Sequence, residues 1–198
     1  MWTRQLMGSD VYHLVCAFII YSVMGWGVES IYMSWCNRRL TNRGFGYGPW
    51  CPIYGFGGVV GHFILAPLRE HIVALYIVGA IVATTFELLV GFLMQRVFHE
   101  VWWDYNDKPF NYKGIICLES TVAWGFYAVI IICFLNSRIV SFIDSRDMAW
   151  GILACRIVIV TFIVDYVFTL RRILRENDID LLERGEQVLN SIKELVGR

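Results

Sequence analysis

Charge is scarce in this chain. Asp, Glu, Lys and Arg make up 17% of its 198 residues, where a soluble domain carries about 25%. The charges present cancel, 17 basic against 17 acidic, so the net charge gives no sign of a nucleic-acid partner. No glycine-rich phosphate loop, Walker lysine or dinucleotide fingerprint occurs, which excludes the usual routes to nucleotide binding. The six cysteines (Cys16, Cys36, Cys51, Cys117, Cys133, Cys155) include no C-x-x-C pair, and four sit inside apolar segments as small hydrophobes. Cys51 and Cys117 fall at corresponding edges of two segments, where ordinary packing is expected ahead of a disulfide or a metal site. No metal and no cofactor is expected. The N-terminal MWTRQLMGSD has one Arg before a long apolar segment and no small-residue cleavage site, so it reads as retained and not as a signal peptide.

What the chain has instead is apolar surface. Hydrophobic residues reach 57% and aromatics 16%, with a mean hydropathy of +0.54. These values point to an all-α integral membrane protein. About five transmembrane helices are expected, over residues 11–35, 53–68, 72–96, 115–135 and 148–170. Together they form a transmembrane domain of residues 1–170. The second segment is short for a hydrocarbon core of about 30 Å, and it contains Gly55, Gly57, Gly58 and Gly61. It reads either as a tightly packed span or as a re-entrant segment. Residues 136–147 read as a polar connection.

Residues 171–198 change character and form an expected cytoplasmic amphipathic helix. Leu174, Leu181, Val188 and Leu195 recur there at heptad spacing, with Gly185 interrupting. This seam would pack on its own protein, on a partner or on the membrane. Segments one and three share a pattern: a late glutamate, a basic loop with an aromatic–proline neighbourhood, and re-entry through a cysteine. Two parallel helical hairpins plus a fifth helix would fit that pattern.

Lysine and arginine are unevenly divided between the two sides. Arg38, Arg39 and Arg43 of the first loop, Arg96, Lys108 and Lys113 around the third, and Arg171, Arg172 and Arg175 of the tail share one side. Arg4, Arg69, Arg138 and Arg146 fall on the other. The bias places the C-terminus in the cytoplasm and the N-terminus outside a bacterial cytoplasmic membrane.

Ionisable residues within the apolar segments are the candidates for function, because charge in hydrocarbon is costly unless it faces protein, water or a partner. Glu29, Glu87, Glu119 and Asp165 fall towards the cytoplasmic ends of four different segments, and Arg156 lies near the middle of the fifth. Grouped, they would line a substrate or ion path for a small anionic or cationic ligand. Scattered, they would be interhelical pairs or side chains reaching the headgroups. Arg156 and Asp165 are nine residues apart on one helix, a poor spacing for pairing with each other. His62 reads as a proton relay or a neutral hydrogen-bonded histidine. Between the third and fourth segments lies VWWDYNDKPFNYK. There Trp103, Asp104, Tyr105 and Pro109 read as a loop or lid, and His99, Glu100, Asp104 and Asp107 give only a weak metal-like spacing.

In GFGYGPWCPIYGFG (residues 44–57) and WWDYNDKPFNYKGIICLESTVAWG (residues 102–125) the chain resembles a bacterial family of small membrane proteins. Its members are labelled putative ABC-transporter type IV or permease-like proteins, and the resemblance runs from about Val11 to Leu170. The matching positions are Glu29, Pro49, Cys51, Pro52, Tyr54, Trp103, Asp104, Tyr105, Pro109, Glu119 and Trp124. The resemblance implies a transporter component; it transfers no substrate or catalytic role. Three readings follow. The first is a membrane transport protein or transporter subunit, in contact with the lipid bilayer and working as a homodimer or with a partner membrane subunit. The second is a non-catalytic membrane scaffold or sensor. The third is an intramembrane enzyme acting on a lipid-linked substrate, with Glu119 or Asp104 as acid or base.

Overall fold

A computed structural model describes residues 2–6, 8–44, 46–98 and 101–176. The expected heptad residues from Leu181 onward, and His99 and Glu100, lie outside the described residues. Five helices follow one another. They are α1 (Val11–Asn37), α2 (Pro52–Leu65), α3 (Ile72–Leu93), α4 (Leu118–Asp144) and α5 (Met148–Glu176). Among the described residues, four stretches are long and apolar enough to cross a membrane: Val11–Asn37, Ile72–Val97, Leu118–Asp144 and Met148–Ile173. The remaining one, Pro52–Leu68, is shorter. At 1.5 Å per residue, α2 covers about 21 Å before a single 3-10 turn extends it.

Four of the described helices start where the sequence supplies a cap or an N-terminal proline, whereas α3, preceded by His71, has no side-chain cap. The Asp10 carboxylate accepts from the His13 amide at 2.9 Å, satisfying one of the open N–H groups of α1. Pro52 stands in the first turn of α2, where its missing N–H costs nothing. Cys117 and Ser120 form a reciprocal capping box on α4. Asp147 accepts from the amides of Ala149 and Trp150 at the start of α5. A short hairpin, β1 (Gln5–Leu6) with β2 (Ser9–Asp10), leads into α1.

The stretch 136–144, expected as a polar connection, is helical and continues α4 through a π-turn at Ile131–Leu135. Its polarity is one-sided. Ile139 and Ile143 turn inward, 5% and 3% exposed, against Tyr12, Tyr21 and Cys155, and Ser137 bonds back to the Phe134 carbonyl at 3.1 Å. The true connection is therefore the tight turn 145–147. Likewise α5 continues past residue 170 to Glu176.

The helices alternate in direction. His13, at the start of α1, meets Asp144, at the end of α4, with 2.9 Å between Nε2 and Oδ1. The end of α1 meets the start of α2 through Glu29 and Tyr54 at 3.0 Å, and late α3 meets early α4 through Glu87 and Trp124 at 2.8 Å. The molecule thus has two poles. The turn pole holds the N-terminal hairpin and the turns 69–71 and 145–147. The loop pole holds the long loops 38–51 and 101–117, joined where Arg43 Nη2 donates to the Trp102 carbonyl at 3.0 Å. Between them, Leu65, Leu75, Ala128 and Ile132 form a mid-bundle core.

Candidate functional site

Three of the intrasegment acids gather donors from the two long loops at the loop pole. Glu29 lies one turn after Gly25, where any larger residue would collide with the ring of Tyr54. The ring therefore packs against the α1 backbone, and its hydroxyl donates to Glu29 Oε2 at 3.0 Å. The other oxygen, Oε1, accepts from Arg43 Nε and Nη2 at 3.0 and 2.8 Å. Both side chains of this ion pair are partly open, 21% exposed for Arg43 and 24% for Glu29.

Glu87 is more enclosed, at 4% exposed. Its partners are all neutral: Tyr105 Oη donates to Oε1 at 3.2 Å, while Ser120 Oγ and Trp124 Nε1 donate to Oε2 at 3.3 and 2.8 Å. Among the described residues no cation pairs with it. One turn on, Gly91 makes room for Ile115 and for Trp103, whose Nε1 donates to the Ile115 carbonyl at 2.7 Å. That bond folds the loop back so that Tyr105 reaches Glu87. The two carboxylate sites adjoin: the Tyr54 ring centroid is 6.3 Å from that of Trp124.

Asp165 of α5 has a different task. Its oxygens accept from the amides of Tyr47 and Gly48 at 2.8 and 3.1 Å and from Trp50 Nε1 at 2.8 Å. It organises the GYGPW turn, which could not come so close if Gly46 carried a side chain.

The remaining candidates stand apart. Glu119 begins α4 but turns outward, 66% exposed, and meets Lys108 Nζ at 2.7 Å. The hydrogen bond and charge of Glu119 raise the Lys108 pKa. Arg156 is exposed on α5, remote from the three loop-bound acids. Asp104 is engaged locally, accepting from the Asn106 amide at 2.8 Å, and Pro109 is exposed at the loop tip. Cys51 and Cys117 are free thiols at the starts of α2 and α4.

Arg43 and Ser120 are the residues that sequence reasoning misses. Arg43 counts there only towards the charge bias, because a loop arginine has no periodicity that aims it at Glu29. Ser120 lies three residues after Cys117, as Tyr54 lies three after Cys51, so the matched spacing was the available signal.

Electrostatically, burial first, and then the Glu87 charge and hydrogen bond, raise the Tyr105 pKa above the ordinary phenol value. Tyr105 therefore stays a donor. Burial, reinforced by the Glu29 charge, pushes the Cys51 thiol up to about 12. A void of about 10 Å³ lies beside Gly91, Trp102 and Trp103, room for one water at most. Among the described residues no group of three or more His, Cys, Asp or Glu is arranged to hold a metal ion.

The family described as Putative ABC-transporter type IV matches residues 16–170, which take in all five helices through most of α5. The chain belongs to that family. The match covers both long loops and every carboxylate of the site, so this permease-like, multi-pass membrane protein carries its polar cluster within the family's own region. No curated protein and no solved structure gives a significant match.

Proposed function

We propose that this protein is a membrane transport component in which Glu87 takes up a proton or a small cation at the loop pole. The observation that carries the reading is a carboxylate 4% exposed and held only by neutral donors. As an anion it uses all three. Once protonated it must itself donate, and it then has less need of the hydroxyls, while the indole N–H of Trp124 can only donate. Tyr105 is the donor mounted on a loop, so neutralising Glu87 loosens residues 101–117 and opens the cluster towards the loop pole. Glu29 is poised differently, because Arg43 already balances its charge. By the lysine and arginine bias the loop pole faces the cytoplasm and the N-terminus lies outside. A second copy or another membrane subunit completes the pathway wall, since five helices enclose little space.

Hydrogen exchange of residues 101–117 in the purified full chain, followed against pH and against added monovalent and divalent cations, tests the reading. Once the slower intrinsic amide exchange at lower pH is corrected for, wild type should lose protection on acidification, and Glu87→Gln should be unprotected at every pH. If wild type and Glu87→Gln exchange alike at every pH and no cation protects the loop, the reading fails.

The scaffold or sensor alternative draws support from one feature. Glu29, Glu87 and Asp165 all have partners, and the void beside Gly91, Trp102 and Trp103 holds about 10 Å³. On that reading Glu87→Gln lowers thermal stability by the same amount at all pH values. The lipid-directed enzyme has no comparable support, since Asp104 and Glu119 are each engaged elsewhere.

A further inference from the structure

We infer that Cys16 and Cys155 form a redox pair that closes into an intramolecular disulfide and fastens the last helix to the first. The two sulfur atoms lie 3.3 Å apart, Cys16 on α1 and Cys155 on α5. Both residues lie near the turn pole: Cys16 is in the second turn of α1, and Cys155 is in the second turn of α5. The two helices run in the same direction there, and Tyr12 packs against Gly151 so closely that any side chain at that glycine would collide with it. The backbones are thus already held together on one side of the pair. Bond formation requires the sulfurs to close from 3.3 Å to about 2.05 Å.

The rest of α5 gives the bond its consequence. Only 6% of its most apolar stretch is buried, against 22% in each of the other three long helices. An apolar groove of about 370 Å³, with Phe18, Phe56, Val59, Ile159 and Phe162 among its walls, separates it from α1 and α2. Non-covalent packing therefore holds α5 weakly along the span. Ring contacts of Phe162 with Phe18 and Trp50, at 6.3 and 5.8 Å, touch it midway; its sulfur and polar contacts are the pair at Cys16 and Cys155 and, at the other pole, the three donors that Asp165 takes from residues 47–50. A covalent link at the first fixes the helix that carries the second.

The chemistry is thiol–disulfide exchange with a small or protein disulfide as oxidant. Cys16 is partly exposed and Cys155 is 5% exposed, so Cys16 attacks first. Its thiolate displaces one thiolate from the oxidant and leaves a mixed disulfide. The Cys155 thiolate then attacks the Cys16 sulfur and expels the second. Two protein thiols are oxidised, one oxidant disulfide is reduced to two thiols, and two protons pass from the cysteines to the released thiolates. Cys16 lies about 8 Å from the start of a helix roughly 40 Å long. Since the hydrocarbon core is about 30 Å thick, that depth is just inside its edge, within reach of an oxidant at the membrane surface.

The test uses the full chain in detergent, reduced and then exposed to a small aromatic disulfide. Remaining thiols are alkylated and the protein is digested without reductant. The expected result is a single linked pair of peptides containing Cys16 and Cys155, absent from Cys16→Ser and Cys155→Ser. It should be accompanied by a higher melting temperature after oxidation in wild type only. Recovery of both peptides singly alkylated from wild type, under conditions where exposed Cys36 has reacted, would overturn the inference. So would linkage of either cysteine to a different thiol. The decisive readout comes from wild type, so a poorly folding variant does not cloud it.

Discussion

Glu29 near the end of α1 and Glu87 near the end of α3 occupy matching places in two helix pairs. Each accepts a hydrogen bond from the residue three places beyond a buried cysteine that starts the partner helix, Tyr54 after Cys51 and Ser120 after Cys117. Each also sits one turn from a glycine that lets an aromatic ring approach. They differ in how charge is met. Glu29 has a guanidinium on one oxygen and remains about a quarter exposed; Glu87 has only neutral donors and is nearly sealed. Similar scaffolding thus yields one carboxylate met by a guanidinium and one held only by neutral donors.

The strongest way to break the comparison is Glu87→Ala. It leaves the Tyr105 hydroxyl and the indole N–H of Trp124 without their acceptor, while Ser120 keeps the Cys117 carbonyl at 3.0 Å, and it opens a void, so a loss of about 3 kcal/mol is expected. Thermal melting in detergent would measure it. Arg43→Gln comes next. Removing one partner of an enclosed ion pair costs up to about 3–5 kcal/mol, but the partial exposure of this pair scales that to about 2 kcal/mol. A Glu29→Gln background should recover part of the loss in a double-mutant cycle, whereas Glu87→Gln should not.

A pH titration sharpens the same contrast. The folded protein holds the Tyr105 proton more tightly than the unfolded chain does, because of burial and then of Glu87. That contribution is complete below the ordinary phenol pKa of about 10 and is lost as the pH rises above it. Alkaline unfolding should therefore begin above about pH 10, with a shallower slope in Tyr105→Phe. The smallest expected effect belongs to Glu119→Gln. Its pair with Lys108 is exposed to solvent, so no measurable change in melting temperature should follow, and high salt should leave wild type equally unchanged.

The depth of the acids was legible because depth follows from counting residues along a helix of fixed rise. Which way they face was not. Glu119 enters α4 at the level of the cluster yet points outward to Lys108, and Arg156 lies on the outer side of α5, because rotation about the helix axis is set by neighbours that a single chain segment does not name. Residues 136–144 show the same limit. Their polar composition conceals Ile139 and Ile143, whose inward face becomes meaningful only against Tyr12 and Tyr21.

By itself the sequence determined that this is a helical membrane protein with four long apolar helices and a shorter one, and that acids lie where lipid would not tolerate them. Apolar run length and charge cost are local quantities, so local reading reaches them. Only the tertiary structure decided that Arg43, fourteen residues downstream through an irregular loop, neutralises Glu29, and that Asp165 holds a turn more than a hundred residues away. It alone left Glu87 with neutral partners. Hydrogen bonds and ion pairs depend on distances of about 3 Å, and at that scale the packing of one helix on another, not the order of residues, chooses the partner.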